Sequence, residues 1–198
     1  MLTIGHSTLP IHAFVQILKE NSCQVLVDVR TIPASRHNPQ FAQPTLAASL
    51  DEAGIRYRWH KSLGGLRRPQ PDSPNTGWHN ASFRAYADYM QSPEFGEAIE
   101  GLLEVRPHSH TVIMCAEAVH WRCHRSLIAD ALTVRGIPVE HITYQANAAS
   151  SSSPHGYRSH RKPHQLTSFA RVRGQQVWYP GQDDLFAEAA PPPVRRIS

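Results

Sequence analysis

Cysteine is scarce in this chain, with three residues among 198. The number is odd, and the spacing has none of the regularity of a secreted disulfide framework. A disulfide-stapled scaffold is therefore excluded, and the core has to come from apolar packing. Long hydrophobic runs are missing too. None approaches the roughly 20 residues that a membrane-spanning helix needs. The first residues, Met1-Leu2-Thr3-Ile4-Gly5-His6, contain neither a basic n-region nor an apolar h-region, so no signal peptide is expected. A soluble, cytoplasmic protein with no membrane association is the expectation. There is no internal repeat, which excludes solenoids and propellers. There is no acidic excess either: the net charge is +4, and 13 histidines add positive charge below neutral pH. That balance favours polyanions mildly over acidic protein partners.

What is present is an alternation of short apolar runs with amphipathic stretches. Leu2–Gly5, Val25–Arg30, Ile55–His60, Thr111–Ala116 and Val139–Tyr144 read as strands. Several are nearly continuous apolar runs, the pattern of parallel strands covered on both sides. Ile11–Ser22, Thr45–Ala53, Ser82–Met90, Glu94–Val105 and Arg125–Val134 read as helices by their spacing, with Gly54 and Gly136 as stop signals. Strands alternating with helices predict an α/β fold, Rossmann-like, with a mostly parallel sheet and helices on both faces. The stretch 61–80 is rich in Gly, Pro, Asn and Trp and is expected to be a long loop. Composition changes after Gln145, where Ala148–Ser153 is a run of small residues and later segments are basic. Two regions are therefore expected: an α/β domain over 1–145 and a flexible basic tail over 146–198, disordered except where something binds it.

Open parallel sheets bind ligands beyond the carboxyl ends of their strands. Here those ends carry His6 and Ser7, Asp28 and Arg30 with Arg36 just beyond, and Cys115 and Glu117, followed by Cys123, His124 and Arg125 at a helix start. Glu117 and Asp28 are the candidate acid–base pair, since two carboxylates in unlike environments can divide proton donation and abstraction. Cys115 is a further catalytic candidate. His6, Ser7, Arg30, Arg36, His124 and Arg125 are candidates for holding an anionic substrate. Each has a plainer reading: Asp28 and Arg30 share a face and could be a structural pair, Ser7 could cap a helix, and Cys115 could be a small core residue. A rhodanese-like sulfur carrier fits poorly, because an anion-cradling loop should place Arg where Trp121 stands, and Arg122 comes one step late. Cys115, Cys123 and His124 match no paired-cysteine zinc spacing, so neither a metal nor another cofactor is expected.

The ordered set of motifs also carries a family likeness. Thr3-Ile4-Gly5-His6-Ser7, Val27-Asp28-Val29-Arg30 with Pro33 and Ser35-Arg36, Gly54-Ile55-Arg56-Tyr57, Leu63-Gly64-Gly65, Met114-Cys115-Ala116-Glu117 and Cys123-His124-Arg125 together resemble the domain-of-unknown-function family 488 over roughly residues 2–145. The resemblance implies a compact α/β fold and no established reaction.

Near the end, Gln182-Asp183-Asp184-Leu185-Phe186 resembles the short peptide by which bacterial repair and replication proteins hold the DNA sliding clamp. In such a peptide Leu185 and Phe186 would fill an apolar pocket while Gln182 hydrogen-bonds beside it. Arg67, Arg68, Arg158, Arg161 and Lys162 fall in segments expected to track phosphates. The expectation is a DNA-associated enzyme, a base- or nucleotide-processing hydrolase recruited by the sliding clamp. A non-catalytic DNA-repair adaptor and a sulfur-transfer or redox enzyme remain as alternatives.

Overall fold

Residues of alternating parity along the strands are apolar on both sides, so the sheet needs helices on both faces. The computed structural model describes residues 1–105, 107–146 and 156–181 and shows that arrangement. Strands β1 (Leu2–Gly5), β2 (Val25–Asp28), β3 (Arg56–Trp59), β4 (Thr111–Cys115) and β5 (Glu140–Ala146) are joined through helices α1 (Ile11–Glu20), α2 (Gln43–Glu52), α3 (Ala81–Tyr89), α4 (Pro93–Leu103) and α5 (Arg125–Thr133). The sheet order is β3-β2-β4-β1-β5-β6, where β6 is Tyr157–Pro163. Every pairing is parallel except the last, β5 with β6.

The strand period of two divides the core. Leu2, Ile4, Leu26, Val112 and Met114 face one side, where Phe14, Ile17 and Leu18 of α1 and Leu46 and Leu50 of α2 cover them. Val25, Val27, Ile113 and Cys115 face the other, beneath Tyr86 of α3, Phe95 and Ile99 of α4, and Leu127 and Ile128 of α5. Local chemistry sets the helix ends. Asn80 accepts from the amides of Ser82 and Phe83 at the start of α3. Ser92 accepts from Phe95, with Pro93 in the first turn of α4, which separates the two helices. Gly54 and Gly136 sit at φ +73° and +75° after α2 and α5, where an L side chain would be strained.

The expected flexible tail does not begin at 146. Strand β6 adds an antiparallel edge to the sheet, and β7 (Arg171–Arg173) and β8 (Gln176–Trp178) form a separate hairpin. Tyr179 is fully buried, and its hydroxyl donates to Asp130 of α5 at 2.7 Å. Its amide donates to Asn75 at 2.9 Å, and Gln91 donates to the Val177 carbonyl at 2.7 Å. Residues 156–181 are thus part of the folded unit, held by polar partners scattered across α5, the turn between α3 and α4, and the 61–80 loop. Two basic residues expected to track phosphates are engaged elsewhere. Arg161 bonds to Asn21 and lies 3.6 Å from Glu140. Arg67 folds back over the Tyr89 ring at 3.5 Å. The clamp-like peptide with Gln182, Leu185 and Phe186 lies outside the described residues.

Candidate functional site

The topology itself singles out one place on the sheet. Strands β1 and β4 are neighbours, yet the chain leaves them toward opposite edges: α1 leads away from β1 to β2, and α5 leads away from β4 to β5. The two helices lie on opposite faces. Loops diverge at such a switch point and open a crevice beyond the carboxyl ends of the strands. A cleft of about 630 Å³ opens there, lined by His6, Ser7, Arg30, Cys115, Glu117 and Cys123 among others. His124, Ser35, Asn38 and Arg122 also line it.

On one wall, Arg30 and His6 are backed by a buried polar cluster on the α1/α2 face. Asp28 is fully buried, and its carboxylate accepts Arg30 Nε at 2.9 Å, Arg30 Nη2 at 2.5 Å and the Tyr57 hydroxyl at 2.8 Å. The Arg30 amide also donates to it at 3.0 Å, two residues past the end of β2. His6 stacks on Phe41 with ring centroids 4.0 Å apart. Its Nδ1 donates to the Ser7 carbonyl at 2.8 Å, leaving Nε2 to accept from Arg30 Nη1 at 3.3 Å. Burial, aided by the Arg30 charge, lowers the His6 pKa to about 4. His6 is therefore neutral at pH 7, and toward an anionic substrate it would offer hydrogen bonding without a positive charge of its own. Ser7 does not cap a helix: it holds φ +46°, a strained conformation for a non-glycine residue at the cleft edge.

The opposite wall is built of sulfur and imidazole. Cys115 ends β4, and Cys123 and His124 immediately precede α5; their ligand atoms all lie within 4.8 Å of one another. Cys123 Sγ is 3.7 Å from His124 Nδ1, and His124 Nε2 is 3.2 Å from the Val29 carbonyl. Within the cysteine pair, the hydrogen bond from Cys115 favours charge on Cys123, whose pKa falls, while Cys115 holds its proton and its pKa rises. Gly65 lies against the His124 ring, where an added Cβ would meet Nδ1 at 2.5 Å. That close approach accounts for a glycine in the Leu63-Gly64-Gly65 motif.

The remaining candidates separate. Glu117 is exposed on the cleft lining, and its Oε1 accepts the Val119 amide at 3.2 Å. Asp28 and Arg125 do not line the cleft, and Arg36 is exposed outside it. Arg125 is 1% exposed and hydrogen-bonds the Glu117 carbonyl and Thr3 Oγ1 from beneath the cleft floor, with its Nε unpartnered. Thr3 continues a buried chain that the sequence did not reveal. Thr3 Oγ1 is 2.8 Å from His141 Nδ1, His141 Nε2 is 2.9 Å from His164 Nδ1, and His164 Nε2 is 2.8 Å from Asp130 Oδ1. His120 stacks on His141 with ring centroids 3.8 Å apart. Burial and the neighbouring His120, His164 and Arg125 lower the His141 pKa to about 2. The only available sequence signal was an excess of histidine, which says nothing of pairing.

No helix among the described residues is long and apolar enough to cross a membrane. No curated protein and no solved structure matches the chain. A family model does match residues 10–132, covering α1, β2 to β4, most of α5 and the cleft lining from Arg30 to His124, but not His6 or Ser7. The chain belongs to the family described as domain of unknown function DUF488.

Proposed function

We propose that the cleft is the active site of a hydrolase that acts on a nucleobase or nucleotide unit of DNA. The observation that carries this reading is the cleft at the β1/β4 switch point, lined by an exposed carboxylate, Glu117, together with Arg30 and neutral His6. Its volume suits a nucleotide-sized ligand. Arg122 is exposed on the lining and offers a cation to a phosphate, whereas the charge of Arg30 is largely matched by Asp28. Ile32 and Leu66, 64% and 71% exposed on the lining, offer apolar contact to a base. Trp121, beside Arg122 in the chain, is 62% exposed and offers a ring for stacking.

In the proposed step, Glu117 takes a proton from the attacking water and returns it to the leaving group, so that water is divided between the two products. Asp28 is assigned to holding Arg30 and not to proton transfer, because all its contacts lie within the buried cluster. Recruitment to DNA through Gln182, Leu185 and Phe186 on the sliding clamp belongs to the same proposal. The test is a screen of the wild-type protein on modified-base DNA and nucleotides, beside Glu117→Gln. The variant should lose about 10²- to 10⁴-fold in kcat and melt like wild type, since Glu117 is exposed. A wild type that hydrolyses nothing in a broad screen would favour the non-catalytic adaptor.

A further inference from the structure

We infer that Cys115, Cys123 and His124 form a zinc site at the base of the cleft. Three features of the structure carry this. The first is donor chemistry: two thiols and one imidazole make a set that suits zinc and is poorly suited to magnesium or calcium. The second is distance. Tetrahedral zinc with ordinary bond lengths separates a sulfur and a nitrogen ligand by about 3.6 Å and two sulfurs by about 3.8 Å. The Cys123 Sγ to His124 Nδ1 separation is 3.7 Å, and all three donor atoms fall within 4.8 Å. Side-chain adjustment of less than an ångström or so closes the set. The third is orientation. His124 Nε2 faces the Val29 carbonyl at 3.2 Å, which places the ring hydrogen on Nε2 and leaves the Nδ1 lone pair toward the sulfurs. A metal-binding imidazole is commonly held in this way, by donating its other N–H to a carbonyl.

The site draws its ligands from two elements that only the fold brings together. Cys115 closes β4, while Cys123 and His124 lie at the entrance to α5. All three line the cleft, so three protein ligands leave the remaining coordination position on the cleft side, the arrangement of catalytic zinc sites and not of closed structural ones. Glu117 lines the same cleft and is outside the donor set. Zinc binding rests on the donors alone and stands whether or not the cleft hydrolyses a nucleotide. Where both readings hold, the bound water is the one from which Glu117 takes a proton.

The test uses the full chain purified from zinc-supplemented medium. Elemental analysis should find about one zinc per chain, lost from Cys123→Ser. After removal of metal by a chelator, added cobalt(II) should give the visible bands of a tetrahedral site and a thiolate-to-cobalt charge-transfer band. The melting temperature should rise with zinc and fall back with chelator. The wild-type cobalt spectrum decides the matter even if Cys123→Ser fails to fold. Substoichiometric zinc with no cobalt–thiolate band would overturn the site, as would a Cys115–Cys123 disulfide found by denaturing thiol titration of the protein as purified under reducing conditions, before any chelator is added. Neither measurement involves turnover, so failure of the metal site and failure of the hydrolase reading are read separately.

Discussion

Lowering the pH from 6.5 toward 4.5 should destabilise this fold well before most carboxylates are protonated. Two histidines, His6 and His141, are each 1% exposed, with pKa values lowered from 6.5 to about 4 and about 2. Burial is the main cause for both; Arg30 and Arg125 add to it at His6, and His120, His164 and Arg125 add to it at His141. Unfolding returns both rings to water, so below pH 6.5 the unfolded chain binds protons that the folded chain refuses. Stability from these groups is complete above 6.5 and is lost as pH falls, toward about 4 for His6 and toward about 2 for His141. Each proton corresponds to about 1.4 kcal/mol per pH unit, so two give a slope near 2.7 kcal/mol per unit once both unfolded rings are charged. Between pH 6 and 4.5 the loss is on the order of 4 kcal/mol, a large part of the roughly 5–15 kcal/mol of a typical domain. His120, also lowered to about 4, acts in the same direction. The assay is urea unfolding followed by circular dichroism at half-unit pH steps, with His141→Gln beside wild type. The variant should melt lower at every pH and show a slope shallower by about one proton. A wild-type unfolding free energy that is flat from pH 6.5 to 5 would refute the reasoning.

Asp28→Asn should cost about 3–5 kcal/mol in a thermal melt, because it leaves Arg30 buried without its counter-charge; this is the opposite of the pattern expected for Glu117→Gln. Tyr179→Phe should cost about 1–3 kcal/mol through loss of the hydroxyl donated to Asp130, and Tyr179→Ala about 3–5 kcal/mol, whereas a loosely attached segment would show neither. A peptide spanning 180–189 should bind purified sliding clamp with micromolar-range affinity by fluorescence anisotropy, and Leu185→Ala with Phe186→Ala should abolish it. DNA affinity should fall steeply between low and moderate salt if exposed Arg68, Arg122 and Lys162 contact phosphates, and salt-independent binding would dismiss that surface.

The α/β class, the five strands through β5 and the five helices were legible because each rests on a local period. Apolar runs of four or five residues mark strands covered on both sides, and Phe14, Ile17 and Leu18 recur at helical spacing on α1. Glycine at positive φ explains why α2 and α5 stop where the sequence says they should. The position of the candidate site was legible for the same reason, since residues just after parallel strands collect at one sheet edge.

Which of those residues meet was not legible. Asp28 and Glu117 carry the same charge chemistry in the sequence, yet one is sealed against Arg30 and Tyr57 while the other is exposed on the cleft. The difference arises from strand parity and loop path, which no local pattern encodes. Residues 156–181 looked like tail because they contain few apolar runs; they are held by Asp130, Asn75 and Gln91, partners far away in the chain. Cys115, Cys123 and His124 matched no ligand spacing because one donor comes from a strand end and two from a helix entrance. The sequence by itself determined the elements and the edge of the sheet where polar chemistry gathers. Only the tertiary structure decided the strand order that opens the cleft between β1 and β4 and the contacts across it, because those depend on distances between segments that share no local period.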